Sequence, residues 1–168
     1  MRIARDSSLD LTFSVQTKIQ KPVNDVFDAV YNPKKLNKYF TTAADRPLDE
    51  GETVEWKFTI GRKVVKAPVK VRKVIVNRLI QFSWEASEGA YDPKAGKIPD
   101  SGGYYTNVEI SFEPLNKNET LVKIIEGKWK PTQSALEGSY GNCQGWTQML
   151  DFLKAYLEYG INLRKGAY

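Results

Sequence analysis

Residues 11–30 read LTFSVQTKIQKPVNDVFDAV, and their hydrophobic period changes halfway along. From Leu11 to Ile19 apolar and polar residues alternate, which predicts a strand with one face in the core. Pro22 then suits the first turn of a helix, because a proline there loses no hydrogen bond. The apolar residues that follow recur at helical spacing: Val23, Val26, Phe27 and Val30. A second short helix is predicted next, with Asn32 as its N-cap.

Residues 52–129 carry the same alternation through a series of predicted strands. Turn sequences separate these strands at residues 60–63 and 77–78, where Gly61 is free to adopt a positive φ. Residues 86–103 interrupt the series with glycines, prolines and polar residues, which predicts a long loop. Such a loop could cap the mouth of a cavity or form a mobile insertion, and the sequence leaves both open.

The apolar period changes again near the C-terminus. Residues there recur every three or four positions, which predicts a long amphipathic helix against the sheet: Leu136, Tyr140, Cys143, Trp146, Leu150, Leu153, Leu157 and Ile161. Gly138, Gly141 and Gly145 weaken its start by about 1 kcal/mol each relative to alanine. The helix is therefore predicted for residues 144–163, with its first turns left open. Cys143 is interpreted as a small buried group rather than a reactive thiol.

The order of the predicted elements indicates an α+β fold. A strand, two short helices, a run of strands and one long helix follow each other along the chain. Hairpin connections make the sheet antiparallel, with about six strands. Only the C-terminal helix is long enough to cover its apolar face. A curved sheet around a single helix would leave a space lined by aliphatic and aromatic groups, which suits an apolar ligand.

The composition excludes several classes of enzyme. The chain has 168 residues with one cysteine and no histidine, so Ser-His-Asp and Cys-His catalysis and histidine-ligated zinc or haem sites are excluded. The glycine-rich loops that bind phosphates are absent as well. We therefore predict no catalytic residue, no metal and no cofactor, and favour binding over catalysis. An enzyme would have to use Glu126 or a cavity tyrosine such as Tyr104.

The length of the chain indicates one domain, predicted for residues 11–164 after a flexible segment of residues 1–10. The longest apolar runs are far shorter than the about 20 residues that a membrane helix needs. The first residues carry no apolar segment of a secretory signal. The sequence therefore predicts a cytoplasmic protein without a transmembrane segment.

Three stretches resemble the START/birch-pollen-allergen superfamily (SRPBCC), whose members have the helix-grip fold. They are IQKPVNDVFDAV (19–30), PKKLNKYF (33–40) and GWTQMLDFLKAYLE (145–158). The chain resembles most the family named for the C-terminal domain of the heat-shock protein 90 ATPase activator, over residues 11–163. This implies a curved sheet around a C-terminal helix and, for function, a protein-interaction module related to chaperones and stress. The histidine that many relatives carry near Glu126 is absent.

Strand parity predicts which side chains face the space between sheet and helix. We expect these residues to contact a ligand there: Trp56, Phe58, Val69, Phe82, Trp84, Tyr104, Val108, Ile124, Glu126, Trp146 and Leu150. Glu126 shares the parity of Val122, so its carboxylate would point inward, where it needs a partner or a proton. It could bind the polar head of a ligand or act in acid–base catalysis. Alternatively, it pairs with a tyrosine or lysine, or turns to solvent at a bulge near Gly127.

Trp129 has the opposite parity to Val122 and Ile124 along the same strand. It is therefore expected at a rim or a sheet edge, without a role.

Two functions from different classes fit these features. The first is a non-catalytic protein that holds a lipid-like, aromatic or polyketide-like molecule in the cavity. The second is the protein-interaction module, acting through its basic strands.

Residues 58–83 contain seven basic and no acidic residues, and Lys66, Lys70 and Arg72 share the outward parity of one strand. This face could attract an acidic protein or an anionic membrane, or be a solvated surface that discourages aggregation. Nucleic acid is disfavoured because aromatic and basic residues do not interleave.

Overall fold

The computed structural model describes residues 10–90, 92, 94 and 99–168. Its helices and strands are β1 (Leu11–Ile19), α1 (Val23–Tyr31), α2 (Pro33–Tyr39), β2 (Ala43–Ala44), β3 (Thr53–Ile60), β4 (Lys63–Ile75), β5 (Leu79–Glu88), β6 (Asp100–Asn116), β7 (Glu119–Trp129) and α3 (Gln133–Tyr159). The strands form one antiparallel sheet in the order β1-β7-β6-β5-β4-β3-β2. The predicted α+β helix-grip arrangement is confirmed. The alternation does not reveal β2, which consists of only two residues paired with β3.

The sheet turns its apolar face toward α3. Ile80 and Phe82 on β5 and Val108 and Ile110 on β6 are all buried, as the alternation predicts. α3 packs chiefly against β1 and β5, while α1 lies against β6 and β7. α2 bridges α3 and β2 at the other edge. The core therefore lies between the sheet and α3, with the two short helices closing its ends.

Local sequence signals set several boundaries. The Asn32 side chain accepts a hydrogen bond from the backbone nitrogen of Lys34 at 3.0 Å, so Asn32 is the N-cap of α2. Gly61 has a φ of 60° in the turn between β3 and β4. Asn77 has a φ of 62° in the next turn, a left-handed conformation that asparagine tolerates better than most residues. The predicted cap and both predicted turns are confirmed.

The first turns of the C-terminal helix, which the sequence left open, are helical, whereas the predicted end at residue 163 is wrong. α3 begins at Gln133, where the Thr132 side chain accepts a hydrogen bond from the Ala135 nitrogen at 3.2 Å. It ends at Tyr159 because Gly160 is left-handed, with a φ of 67°. Packing against β5 therefore outweighs the low helix propensity of the first turns. Among the described residues, no helix is long and apolar enough to cross a membrane.

Two residues of the predicted apolar stripe do not reach the core. Tyr140 is 63% exposed on α3, and Ile161, beyond the helix, is 51% exposed. Spacing of three or four residues identifies one side of a helix, but the sheet covers only part of that side. The stripe is buried from Trp146 to Leu153, where α3 lies over the centre of the sheet.

The long loop predicted for residues 86–103 is shorter than expected. β5 continues to Glu88 and β6 starts at Asp100, with Ser87 opposite Ser101 in the ladder. The polar residues at both ends of this segment are thus paired strand residues, because backbone ladder hydrogen bonds form whatever the side chains are. Residues 91, 93 and 95–98 lie outside the described residues, as do residues 1–9. The role of this connection as a cap stays a prediction.

Trp129 is not at a rim or an exposed edge, and that expectation is wrong. Its side chain is 3% exposed and packs with Ala86 and Ala135 under the start of α3. Lys128 has a φ of 69°, and the pairing of β1 with β7 shifts register at this end. A bulge of this kind adds one residue and inverts the parity of the strand beyond it, so Trp129 faces inward.

Candidate functional site

A cavity of about 500 Å³ lies between strands β3–β5 and α3, and it is partly open to solvent. Apolar side chains of the strands form one wall: Phe58, Ile60, Val65, Ala67 and Trp84. The helix forms the other wall with Gly138, Gly141, Asn142, Gly145, Trp146 and Met149. Phe40, Phe152 and Tyr168 close one end. The cavity thus lies along one side of α3, toward the β3–β5 half of the sheet.

The three glycines of α3 face this cavity at spacings of three and four residues. A Cβ built on Gly145 would meet nothing within 4 Å, so the missing side chain leaves open space. A Cβ built on Gly138 would lie 2.1 Å from the backbone oxygen of Ser87, so glycine is needed there for close packing on β5. Gly141 lines the cavity between them. These glycines, which the sequence suggests only as weak helix formers, therefore shape the helix wall.

Three of the residues predicted to bind a ligand line the cavity: Phe58, Trp84 and Trp146. Six others belong to the packed core rather than to the cavity wall: Trp56, Val69, Phe82, Val108, Ile124 and Leu150. Ring packing fills the space among them, with the Trp56 and Phe82 centroids 5.5 Å apart. Alternation identifies inward-facing residues, but it cannot tell which of them neighbouring rings will cover.

Tyr104 lies away from the cavity, near the start of α3. Its hydroxyl accepts a hydrogen bond from the Lys130 nitrogen at 3.2 Å. The Lys130 ammonium group lies 4.6 Å from the centre of the Tyr104 ring. The structure thus gives Tyr104 a role in holding the β7–α3 connection, and not the predicted place in a ligand site.

Glu126 is wholly buried, with an exposed fraction of 0%, and its carboxylate accepts hydrogen bonds from four side chains. Trp84 Nε1 and Thr106 Oγ1 donate to Oε1 at 2.9 and 2.6 Å. Trp146 Nε1 donates to Oε2 at 2.8 Å. Asn142 Nδ2 lies 3.1 and 3.2 Å from the two oxygens. We call these five residues the Glu126 clasp.

The Glu126 clasp joins three strands to the helix directly behind the cavity wall. Trp84 is on β5, Thr106 on β6 and Glu126 on β7, whereas Asn142 and Trp146 are on α3. The inward orientation predicted for Glu126 agrees with this geometry, but its four donors are neutral groups, and none is the tyrosine or lysine that was an alternative. A ligand in the cavity meets Trp84, Asn142 and Trp146 before it can reach the carboxylate.

Burial raises the pKa of the Glu126 carboxyl, although the four hydrogen bonds, that from Thr106 first among them, act in the opposite direction. The folded protein then binds a proton more tightly than the unfolded chain does. The resulting stabilisation is complete below the unfolded pKa and is lost as the pH rises through the folded pKa. Glutamine does not titrate, so the Glu126→Gln variant should not show this decrease in stability at higher pH.

The measurement is urea denaturation of both proteins at intervals from about pH 4 to pH 8, starting near the ordinary glutamate value. All other titrating groups are shared, so the difference between the two free energies of unfolding isolates Glu126. We expect the difference to shift in favour of the Gln variant as the pH rises. A constant difference over this interval would contradict a raised pKa.

Cys143 is half-buried on α3, next to the clasp residue Asn142. Burial raises the pKa of its thiol, and the charge of Glu126 adds to the increase. A raised pKa leaves less thiolate at neutral pH, which disfavours a nucleophilic role. Within the described ranges, no group of three or more His, Cys, Asp and Glu residues is placed to hold a metal ion.

The three cations of the predicted basic face each have a neighbour. Lys66 Nζ lies 3.7 Å from the Glu55 carboxylate. Lys70 Nζ lies 4.1 Å from the centre of the Tyr105 ring. Arg72 Nε donates to the Ser83 hydroxyl at 3.2 Å. Acidic and aromatic residues of β3 and β6 thus intersperse with the basic row, because neighbouring strands share one face. The sequence of a single strand does not show this.

Sequence reasoning missed part of the cavity lining. Asn142 and Met149 on α3 lie on the cavity side of the helix, one turn before and three residues after Trp146. Their spacing from Trp146 was the available signal. Phe40 and Tyr168 also line the cavity side by side, although 128 residues separate them along the chain. Only the path of the backbone brings them there.

The comparisons with known proteins agree with this fold. The structure superposes on the protein SSP2350 from Staphylococcus saprophyticus with a TM-score of 0.69 and 22% identity, covering 92% of this chain and 96% of that one. The Aha1 dimer from Colwellia psychrerythraea gives 0.66 and 21%, covering 89% and 98%. DynU16, a protein of the dynemicin biosynthetic locus, gives 0.68 and 19%, covering 89% of this chain and 48% of DynU16. At these identities the likeness concerns the fold alone.

The sequence comparison identifies the family directly. No curated protein matches the chain. The sequence model of the family described as "Activator of Hsp90 ATPase homolog 1-like protein" matches residues 20–158, which is most of the chain. The match includes β3–β5 and α3, and hence the strands and the helix that form the two walls of the cavity. The chain therefore belongs to the family of activator of Hsp90 ATPase homolog 1-like proteins.

Proposed function

We propose that the protein is a non-catalytic binding protein that holds a hydrophobic small molecule in the cavity between β3–β5 and α3. The observation that carries this proposal is the cavity itself. Its volume of about 500 Å³ falls within the roughly 300–1,000 Å³ of small-molecule sites. Its lining is mainly aliphatic and aromatic, with Asn142, Gln144 and Gln148 as polar groups on the helix side. Such a wall suits an apolar ligand with one or two hydrogen-bonding groups.

The chemistry of the walls supports a lipid-like or an aromatic, polyketide-like ligand. Trp84 and Trp146 are stacked with their ring centroids 5.1 Å apart and their planes 30° from parallel. A flat ligand gains from packing on such rings, whereas the glycine surface of α3 gives space to an acyl chain. A ligand screen should therefore include planar polycyclic compounds, which can stack on these rings, beside fatty acids.

Catalysis by Glu126, the carboxylate to which the sequence draws attention, is disfavoured by its position. Glu126 is the buried acidic group nearest the cavity, but its two oxygens already accept five hydrogen bonds. A general acid or base must come within hydrogen-bond reach of the reacting group. Trp84 and Trp146 lie between the carboxylate and a ligand. Glu126 therefore holds these wall residues in place and does not contact the ligand itself.

Filling the cavity from Gly145 tests the proposal. Because a Cβ at this position meets nothing within 4 Å, we expect Gly145→Leu to fold normally and to occupy the space of the ligand. The affinity for the fluorescent probe 1-anilinonaphthalene-8-sulfonate should fall at least about tenfold, equivalent to ~1.4 kcal/mol. Fluorescence titration measures the affinity, and displacement by fatty acids or planar aromatic compounds then identifies the ligand class.

Gly145→Ala is the matched control, since it adds only a methyl group at the same position. It should bind the probe nearly as tightly as the original protein. If Gly145→Leu binds the probe with unchanged affinity, the cavity is not the binding site. Native mass spectrometry of the gently purified protein would show independently whether a small molecule is retained.

A protein-interaction module is the second candidate, and the family membership favours it. Lys66, Lys70 and Arg72 would be its contact residues with an acidic partner. All three already contact neighbouring side chains, so an acidic partner would have to compete with these contacts. The cavity therefore supports small-molecule binding more directly than this surface supports a protein partner.

A further inference from the structure

The last residues of the chain return to the cavity after α3 has ended. The left-handed Gly160 reverses the backbone, and residues 161–168 then run back beside the end of α2. Ala167 and Tyr168 line the cavity. This segment lies beyond residues 20–158, the range that matches the family.

Two side chains anchor the segment to the stretch that follows α2. One nitrogen of the Arg164 guanidinium group, Nη1, donates to the backbone oxygen of Asn37 at 3.1 Å and to that of Thr41. The Tyr168 hydroxyl donates to the backbone oxygen of Phe40 at 2.8 Å. The Tyr168 ring also packs on Phe152 of α3, with 6.5 Å between ring centroids.

Tyr168 is well placed to remain a hydrogen-bond donor. Burial raises the pKa of its hydroxyl to about 12, with Arg164 acting in the opposite direction. The hydroxyl therefore keeps its proton at neutral pH and can hold the Phe40 oxygen. Between the two anchors, Lys165 and Gly166 are exposed. Few contacts must break for this segment to leave the cavity.

We infer that residues 161–168 are a strap that closes one end of the ligand cavity, with Tyr168 as a ligand-contacting residue and Arg164 as its positioning residue. The inference rests on the proposed function, because it assigns the regulation of that same site. The cavity is partly open to solvent, and detachment of the strap from residues 37–41 widens the opening through which a ligand enters and leaves. The strap then sets the rates of exchange, and Tyr168 contributes in addition to affinity.

Stopped-flow fluorescence with 1-anilinonaphthalene-8-sulfonate tests the strap in the protein of 168 residues. The variants are Tyr168→Ala, which removes one anchor together with the wall contact, and Arg164→Ala, which removes the other anchor alone. Lys165→Ala is the control, because its exposed side chain lies in the same segment. Both test variants should release the probe at least threefold faster than the original protein, and Lys165→Ala at the original rate. Tyr168→Ala should also weaken equilibrium binding more than Arg164→Ala does.

The results separate the strap from the proposed function. If the original protein binds the probe and both variants release it at the original rate, the strap is refuted while the cavity remains the site. If Lys165→Ala accelerates release as much as the others, the anchors are refuted as well. If the original protein shows no saturable binding of the probe, the proposed function fails and the strap with it.

Discussion

Replacing Gly138 with alanine is expected to lower the free energy of unfolding by about 3 kcal/mol or more, the upper range for overpacked sites. In a solvent-exposed helix the same change would stabilise the protein, because alanine is the better helix former. Here the added Cβ would lie 2.1 Å from the Ser87 oxygen and 3.1 Å from the Glu88 Cα. Both obstacles are backbone atoms of β5, so they cannot rotate away. The helix or the strand must shift instead.

Gly145→Ala on the same helix is the matched control and should have the opposite sign. Its Cβ would meet nothing within 4 Å, so only the helix propensity changes, and the stability should rise by about 1 kcal/mol. Urea denaturation of both variants at neutral pH gives the comparison. If the two alanines stabilise the protein equally, α3 does not pack on β5 as closely as the distances indicate.

Replacing Glu126 with leucine is the second change with a large expected effect. It should destabilise the protein by about 3 kcal/mol or more, since each buried donor left without an acceptor costs about 1–3 kcal/mol. Trp84, Thr106, Asn142 and Trp146 would all lose their acceptor at once. The removal of a buried carboxylate compensates in part, because its own desolvation is unfavourable. The cost of four buried donors without an acceptor is larger than this gain.

Two further variants make the Glu126 measurement specific. Glu126→Gln retains one oxygen and most of the shape, so it should lose less stability than the leucine variant. Glu113→Leu places the same substitution at an exposed position of β6 and should change the stability by no more than about 0.5 kcal/mol. Free energies from urea denaturation are compared at pH 7. A leucine variant as stable as the original protein would mean that the clasp donors find other acceptors.

Much of the fold follows from short-range patterns in the sequence. Alternation locates the strands, and the inward faces of β5 and β6 follow from parity alone, as the burial of Phe82 and Val108 shows. Asn32 and Gly61 mark a helix start and a turn because their side chains, or the lack of one, act on the adjacent backbone. The same parity places Glu126 inside the protein. The absence of histidine excludes whole classes of chemistry without any structure.

The remainder depends on contacts between residues that are far apart in the chain. Gly138 is necessary only because Ser87 lies against it, and Tyr168 reaches the cavity only because the backbone reverses at Gly160. Trp129 faces inward because a bulge at Lys128 changes the parity of its strand. Hydrophobic periodicity and local propensity do not reveal these long-range contacts. They indicate which side of a segment avoids water, but not which other segment packs against that side. The amino-acid sequence on its own thus determined the sheet, the covering helix and their inner faces, whereas the position of the cavity and its walls arose from their packing.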